Sequence, residues 1–239
     1  MILYPEEHVM RTNWKHSGFL FWNLVSELVE PHHTIVDFGA GRGRQATLGG
    51  RQYKALANFK GRCARVIGVD PDPIVLENPY VDEAHHVEIG GQMPIDDASV
   101  DVLYSYAVFE HVANPDLVSK DIMRVLKPGG WLCAWTPNKW GYVGLAARAV
   151  PNSMHSRVVA KAIPGSRRSE DIFPTRYRLN TLKDIRRHFP NMENFSFMYN
   201  GEAAYNFNRR WLAKLWKIYM VIAPMPLAQS MFVILRKPE

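Results

Sequence analysis

The chain has 239 residues, of which 47% are hydrophobic and 22% charged, with a formal net charge of +6. That length and apolar content suit one large α/β domain over residues 1–239 and exclude wholesale disorder. Two cysteines, Cys63 and Cys133, offer neither a disulfide framework nor zinc-ligand spacing, so no metal is expected and the setting is a reducing one.

Residues 1–31 read as an N-terminal arm and helix. Met1-Ile2-Leu3-Tyr4 is followed by Pro5-Glu6-Glu7-His8, without the basic start and apolar core of a secretory leader, so a cytoplasmic location is expected. Phe19, Leu20, Trp22, Leu24, Leu28 and Val29 form an apolar stripe at helical spacing, closed by Pro31. Packing on a sheet is the simpler reading; the density of aromatics also suits a lid over a ligand.

Thr34-Ile35-Val36-Asp37-Phe38-Gly39-Ala40-Gly41-Arg42-Gly43 is the organising stretch. A β-branched run ends on an acid and a glycine-rich turn follows, the pattern of a buried strand, a tight loop and a helix start. Glycines permit positive φ and close approach of a ligand. A dinucleotide loop wants G-x-G-x-x-G, but here the third glycine comes one residue early, at Gly43. Asp37 would repel a pyrophosphate and would suit a ligand carrying an ammonium group. The alternative is a βα turn that holds nothing.

Residues 44–60 carry helical spacing broken at Gly49-Gly50. A second apolar strand, Ala64 to Asp70, also ends on an acid, followed by Pro71. A carboxylate at that position can accept two ribose hydroxyls, or it can cap the next helical segment. A third strand is expected over His85–Ile89. Gly90, Gly91, Gln92 and Met93 follow, and then Pro94 to Ser105 leads into a fourth strand.

The sequence resembles the class I S-adenosylmethionine-dependent methyltransferases, of the small-molecule, methyltransferase-11-like type. Asp37-Phe38-Gly39-Ala40-Gly41-Arg42-Gly43 is similar to their D-x-G-x-G-x-G loop. Met93-Pro94-Ile95 with Ser99-Val100-Asp101, then Phe109-Glu110-His111-Val112, then Arg124-Val125-Leu126-Lys127-Pro128-Gly129-Gly130 are similar to later family segments. The resemblance covers roughly residues 30–137 strongly. It implies a Rossmann-like, seven-stranded, mostly parallel sheet with helices on both faces and the last strand antiparallel. It also implies S-adenosylmethionine as cofactor, with Asp37, Gly39, Ala40 and Gly41 around its amino-acid part and Asp70 and Pro71 at its ribose. Gly91, Gln92 and Met93 would border the adenine, and Tyr106 would line the gap toward substrate. The family often has an acid in the adenine loop; here Gly90-Gly91 fill that place, and backbone N–H groups of Gly91 and Gln92 would serve instead. His111 is the catalytic candidate, as a general base, with a structural role as the competing reading.

Pro115 starts a helix over Asp116–Leu126, and Lys127-Pro128-Gly129-Gly130 turns the chain into the fifth strand. Residues 139–180 hold Lys139, Arg148, Arg157, Lys161, Arg167, Arg168, Arg176 and Arg178 interleaved with aromatics. They read as a basic cap over the substrate mouth or as a solvated basic loop. Tyr177, Arg178 and Asn180 are the substrate-contact candidates. Thr181 can cap a helix through His188, and Phe195–Tyr199 reads as strand six. A last helix, about 207–222, sets Trp211, Leu215, Tyr219 and Ile222 on one side and Arg210, Lys214 and Lys217 on another. Packing on the sheet is the simpler reading of it, and peripheral membrane contact the alternative. Met231–Lys237 closes the sheet antiparallel.

The function expected is methyl transfer, with O-methylation favoured, to a small-molecule or glycan- or lipid-linked acceptor that is anionic if the basic cap binds it. Nucleic acid is disfavoured, because no RNA-binding module and no N-P-P-Y-type segment is present. The rivals are a non-catalytic S-adenosylmethionine-fold binding protein and a nicotinamide-dependent oxidoreductase, the latter disfavoured by Asp37.

Overall fold

The computed structural model describes residues 4–150, 173–203 and 205–239. Arg157, Lys161, Arg167 and Arg168 of the expected basic cap lie outside the described residues. The run Thr34–Phe38 forms β1, which pairs in parallel with β2 (Arg65–Asp70) on one side and β4 (Val100–Tyr106) on the other. β3 (Glu83–His86) extends the sheet beyond β2, and β5 (Leu126–Pro137) lies beside β4, both parallel to their neighbours. β8 (Ser230–Arg236) runs antiparallel to β5 from Trp131–Arg236 to Pro137–Ser230. Two short pieces, β6 (Glu193–Asn194) and β7 (Phe197–Tyr199), pair antiparallel with β8. The order is β3-β2-β1-β4-β5-β8-β6, with β7 also on β8. With β6 and β7 taken as one interrupted edge strand, this is the seven-stranded, mostly parallel sheet that the family resemblance implies.

The strands read as continuous apolar runs because helices cover both faces. Successive side chains point to opposite layers. Ile35, Val102, Tyr104 and Phe232 meet Phe21, Trp22 and Val25 of α2 (Ser17–Leu28) and Tyr53 of α3 (Arg51–Ala57). Val36, Leu103 and Val233 meet Ile122 and Val125 of α4 (Pro115–Val125) and Ile185 of α6 (Leu182–His188). α1 (Glu7–Met10) is a single turn, and α5 (Tyr142–Ala149) follows β5. The sequence marks hold locally. The Asn114 side chain accepts from Leu117 N, with Pro115 in the first turn of α4, and Thr181 Oγ1 accepts from Asp184 N at 3.1 Å. The N-terminal helix therefore packs on the sheet.

Three expectations shift. The helical spacing of residues 44–60 resolves into a 3-10 turn, Arg44–Thr47, and α3, divided at Gly49-Gly50. The third strand ends at His86 rather than Ile89. Its partner β2 ends at Asp70, paired with His86, so residues beyond Val87 have no strand to join and turn instead through Gly91 N to Glu88 O. The last helix, α7 (Arg210–Ile222), does not bury the stripe expected to pack on the sheet: Trp211, Leu215 and Ile222 are 62%, 48% and 71% exposed. The opposite face packs instead. Trp216 stacks on Tyr142 with ring centroids 4.3 Å apart, and Ala213 and Met220 are buried. Among the described residues no helix is long and apolar enough to cross a membrane.

Candidate active site

From β1 the chain builds the sheet outward through β2 and β3, then returns to lay β4 on the other side of β1. The carboxyl ends of β1 and β4 thus bracket a crevice, where doubly wound sheets bind ligands. A cavity of about 550 Å³ opens there, within the usual range for small-molecule sites. Asp37, Gly39, Ala40, Gly41, Asp70 and Pro71 line it from the first two strand ends. Gly91, Met93, Tyr106 and His111 line it from the later ones. Gln92 is exposed and does not line it.

The glycine loop has three different reasons for its glycines. Gly39, at φ +86°, lies so close to Val108 that an added Cβ would sit 2.2 Å from Cγ2. Gly43, at φ +71°, is crowded by Asn78 and Tyr80. Gly41, at φ +45°, would meet only Asp70 Oδ2 at 3.8 Å, so its backbone faces open space. Gly39 N and Ala40 N both donate to Val69 O, which ties the loop to β2.

Asp37 is half-buried at the cavity wall, with the Tyr104 hydroxyl bonded to it. Burial, followed by the charge of Asp70, pushes its carboxyl up to about 7. Asp70 accepts from Gly41 N at 2.8 Å and Asp72 N at 2.7 Å. Its pKa is raised as well, by burial against the partial compensation of those two bonds. It does not cap the next helical turn; Asp72 does, accepting from Ile74 N. Two acids whose ionised forms are disfavoured, facing one space over bare backbone, make a site that gains from a cation and from hydroxyl donors.

The opposite wall is aromatic. Tyr106 stacks between Trp22 at 5.5 Å and Trp135 at 4.7 Å. Ala107, next in the chain, holds φ +59° while its N–H donates to Trp135 O, a left-handed non-glycine conformation of the kind that clusters at functional sites. His111 Nδ1 lies 3.0 Å from Pro174 O, and its Nε2 lies 3.9 Å from Glu110 Oε1. A carbonyl only accepts, so the neutral ring carries its proton on Nδ1 and its lone pair on Nε2.

The three substrate candidates are not brought to the cavity. Tyr177 and Asn180 are buried, and Arg178 is exposed with Nη1 donating to Ala113 O at 2.7 Å. Asn180 Nδ2 donates to Thr136 Oγ1 and Pro137 O, and Thr136 donates to the buried Glu110. The Glu110 carbonyl in turn accepts from Arg176 N and Tyr177 N. These polar groups serve to fasten the segment 173–180 to the strand ends. Phe173, Pro174 and Arg176 of that segment line the cavity instead.

Comparison with known proteins shows what this chain is similar to. Residues 36–134 match the methyltransferase domain family. Over that stretch the chain is similar to a methyltransferase domain. An uncharacterized methyltransferase of Mycobacterium sp. (strain JLS) is 32% identical over 112 residues, which is 46% of this chain and 40% of the relative. The chain thus spans less than half the length of that curated relative. Two solved structures share the fold. A chain of the Haloferax volcanii complex containing the Trm112 methyltransferase activator is 19% identical, with full coverage of both chains and a TM-score of 0.56. The geranyl diphosphate C-methyltransferase of Streptomyces coelicolor A3(2) is 14% identical, with 90% of this chain and 76% of that chain covered and a TM-score of 0.55.

Supports of the candidate site that the residue pattern did not mark are all distant in sequence from what they hold. Asn78 Nδ2 donates to Ala40 O and Gly41 O and pins the glycine loop. Asp121 Oδ2 accepts from Met93 N at 2.7 Å, and Arg124 donates to Met93 O and Ile95 O. Only the arginine lay within a motif, Arg124 to Gly130. Glu30, His32 and His33 are close enough together to hold an ion among the described residues, but they precede the amino end of β1, opposite the cavity.

Proposed function

We propose that this protein transfers the methyl group of S-adenosylmethionine to a small-molecule or glycan- or lipid-linked acceptor, by O-methylation, in the cytoplasm. The observation that carries the reading is the pairing of Asp37 and Asp70 on one cavity across the open backbone of Gly41. A dinucleotide would place a pyrophosphate against those carboxylates. A cationic amino acid joined to a nucleoside places an ammonium near Asp37 and ribose hydroxyls near Asp70.

In this reading the carboxylate of Asp37 holds the ligand's amino group, directly or through water. Asp70 keeps its two backbone donors and offers its remaining lone pairs to the ribose, near Pro71. Gly91 and Met93 border the adenine, with Gln92 contributing backbone only. The bound sulfonium supplies an activated methyl group with a good leaving group, so alignment by the protein provides most of the acceleration. Tyr106 and His111 face the transfer zone from the β4 side. Nε2 of His111 can take a proton from a hydroxyl acceptor, while Nδ1 stays fixed on Pro174 O. We read residues 139–180 as a cap within a single domain, with Phe173 and Arg176 rather than Tyr177, Arg178 and Asn180 meeting the acceptor.

Calorimetry with S-adenosylmethionine and with NAD, on the wild type and Asp70→Ala, tests the reading. Binding of S-adenosylmethionine that weakens in Asp70→Ala is expected. Tight NAD binding without a response to S-adenosylmethionine rejects it.

A further inference from the structure

α7 presents two apolar faces, and among the described residues only one of them is packed. Ala213, Trp216 and Met220 face inward onto Tyr142. Trp211, Leu215, Ile218 and Ile222, spaced four, three and four residues apart, form one stripe on the outward side, and all four are exposed. Met225 and Leu227, just past the helix, are exposed too and prolong the stripe. Arg209, Arg210 and Lys214 are exposed beside it. Lys217 lies on the same flank, over the ring of Tyr4 at 4.0 Å. From residue 203 to residue 238 the sequence contains no Asp or Glu. An apolar stripe of this length rimmed by cations is not a normal free surface of a monomer.

We propose that α7 docks this protein flat onto an anionic lipid bilayer, with the Trp211–Ile222 stripe in the headgroup–acyl boundary and Arg210 and Lys214 against lipid phosphates. The charge pattern selects the occupant. Two copies paired through this helix would bring Arg210 and Lys214 of both together with no acid on the helix to offset them, whereas a negatively charged surface complements them. The helix is also too short to span a bilayer, at about 20 Å for its thirteen residues. It packs on Tyr142, just beyond the carboxyl end of β5, the strand beside β4. Docking there sets the rim of the cavity near the bilayer, where a lipid-linked acceptor would be presented. That last step rests on the proposed methyl transfer; the docking itself does not.

The test is co-sedimentation of the full chain with phosphatidylcholine vesicles with and without phosphatidylglycerol, at low and high salt. Binding to the anionic vesicles, weakened by salt, is expected. Trp211→Ser/Ile218→Ser and Arg210→Glu/Lys214→Glu should each weaken it by about tenfold or more. Thermal melting and S-adenosylmethionine calorimetry on the same variants report fold and site separately, so loss of vesicle binding with both intact supports docking. If the stripe variant melts early, Arg210→Gln/Lys214→Gln, which changes only exposed side chains, carries the test. No binding to anionic vesicles at low salt overturns the proposal. So does equal binding by wild type and folded variants, or a concentration-dependent dimer that the stripe substitutions abolish.

Discussion

Asp37 offers the sharpest test of the site, because its carboxyl sits at about 7 in the free protein. A ligand held through an ammonium group gains only from the negatively charged form of this carboxyl. Binding needs the ionised carboxylate, so affinity rises as pH climbs toward that value and levels off above it. From the ionised fraction alone, affinity should increase about fivefold from about pH 6 to about pH 7, and about fiftyfold from about pH 5, or about 2 kcal/mol. Calorimetry in buffers of different ionisation enthalpy should show close to one proton released per ligand at the acid end. Asp37→Asn should flatten the pH dependence below about pH 7 and weaken binding at neutral pH about tenfold or more. The same group makes the opposite contribution to the free fold. Its raised pKa disfavours the folded state progressively as pH rises from about 4 through about 7, so Asp37→Asn should not lower the melting temperature at neutral pH. Affinity that is flat or falls over this range, or unchanged binding in Asp37→Asn, would refute the placement of the ligand's cation at this carboxylate.

The glycine loop predicts an order of severity. Gly39→Ala, whose Cβ meets Val108 at 2.2 Å, should cost about 2–4 kcal/mol in thermal or urea unfolding, whereas Gly41→Ala, with open space around it, should cost about 1–2 kcal/mol from backbone strain alone. Thr136→Val leaves the buried Glu110 carboxylate without its hydroxyl donor and should destabilise by about 1–3 kcal/mol, while Arg178→Ala should leave KM for any acceptor unchanged. Once an acceptor is in hand, His111→Gln should lower kcat about a hundredfold or more if a hydroxyl is methylated, and hardly at all if the acceptor is already an anion.

What was legible in the sequence were features whose cause is local. Thr34 to Phe38, Arg65 to Asp70 and Val100 to Tyr106 are apolar because both sheet faces are covered, and the acids closing the first two are the groups that line the cavity. Pro115 and Thr181 announce helix starts by chemistry that acts within one turn. What the sequence leaves hidden has a different cause. Tyr177, Arg178 and Asn180 have the side chains of a binding loop, yet their partners are Glu110, Ala113 and Thr136, far away in the chain, and nothing in the segment itself reveals that those partners exist. Asn78 and Asp121 were invisible for the same reason. In α7 the spacing was real but ambiguous, since Trp211, Leu215 and Ile218 repeat as regularly as Ala213, Trp216 and Met220. The Tyr142 ring, a tertiary contact, decides which face is inside.

The raised carboxyls of Asp37 and Asp70 also explain why this loop would discriminate between ligands without a steric gate. Each acid is held where burial makes ionisation unfavourable in the free protein, and the charge of Asp70 adds to the cost at Asp37. A ligand that brings positive charge relieves both costs on binding; one that brings a pyrophosphate adds a third like charge to the same low-dielectric space. Reversing a single charge tests this, with loss of the Tyr104 hydroxyl bond to Asp37 as the one contact to the fold it removes. Asp37→Lys at the cavity wall should abolish binding of a cationic nucleoside and raise affinity for nucleotides with anionic tails. If Asp37→Lys instead kept its preference for the cation, the selectivity would have to come from the shape of the cavity, and the electrostatic account of the loop would fail.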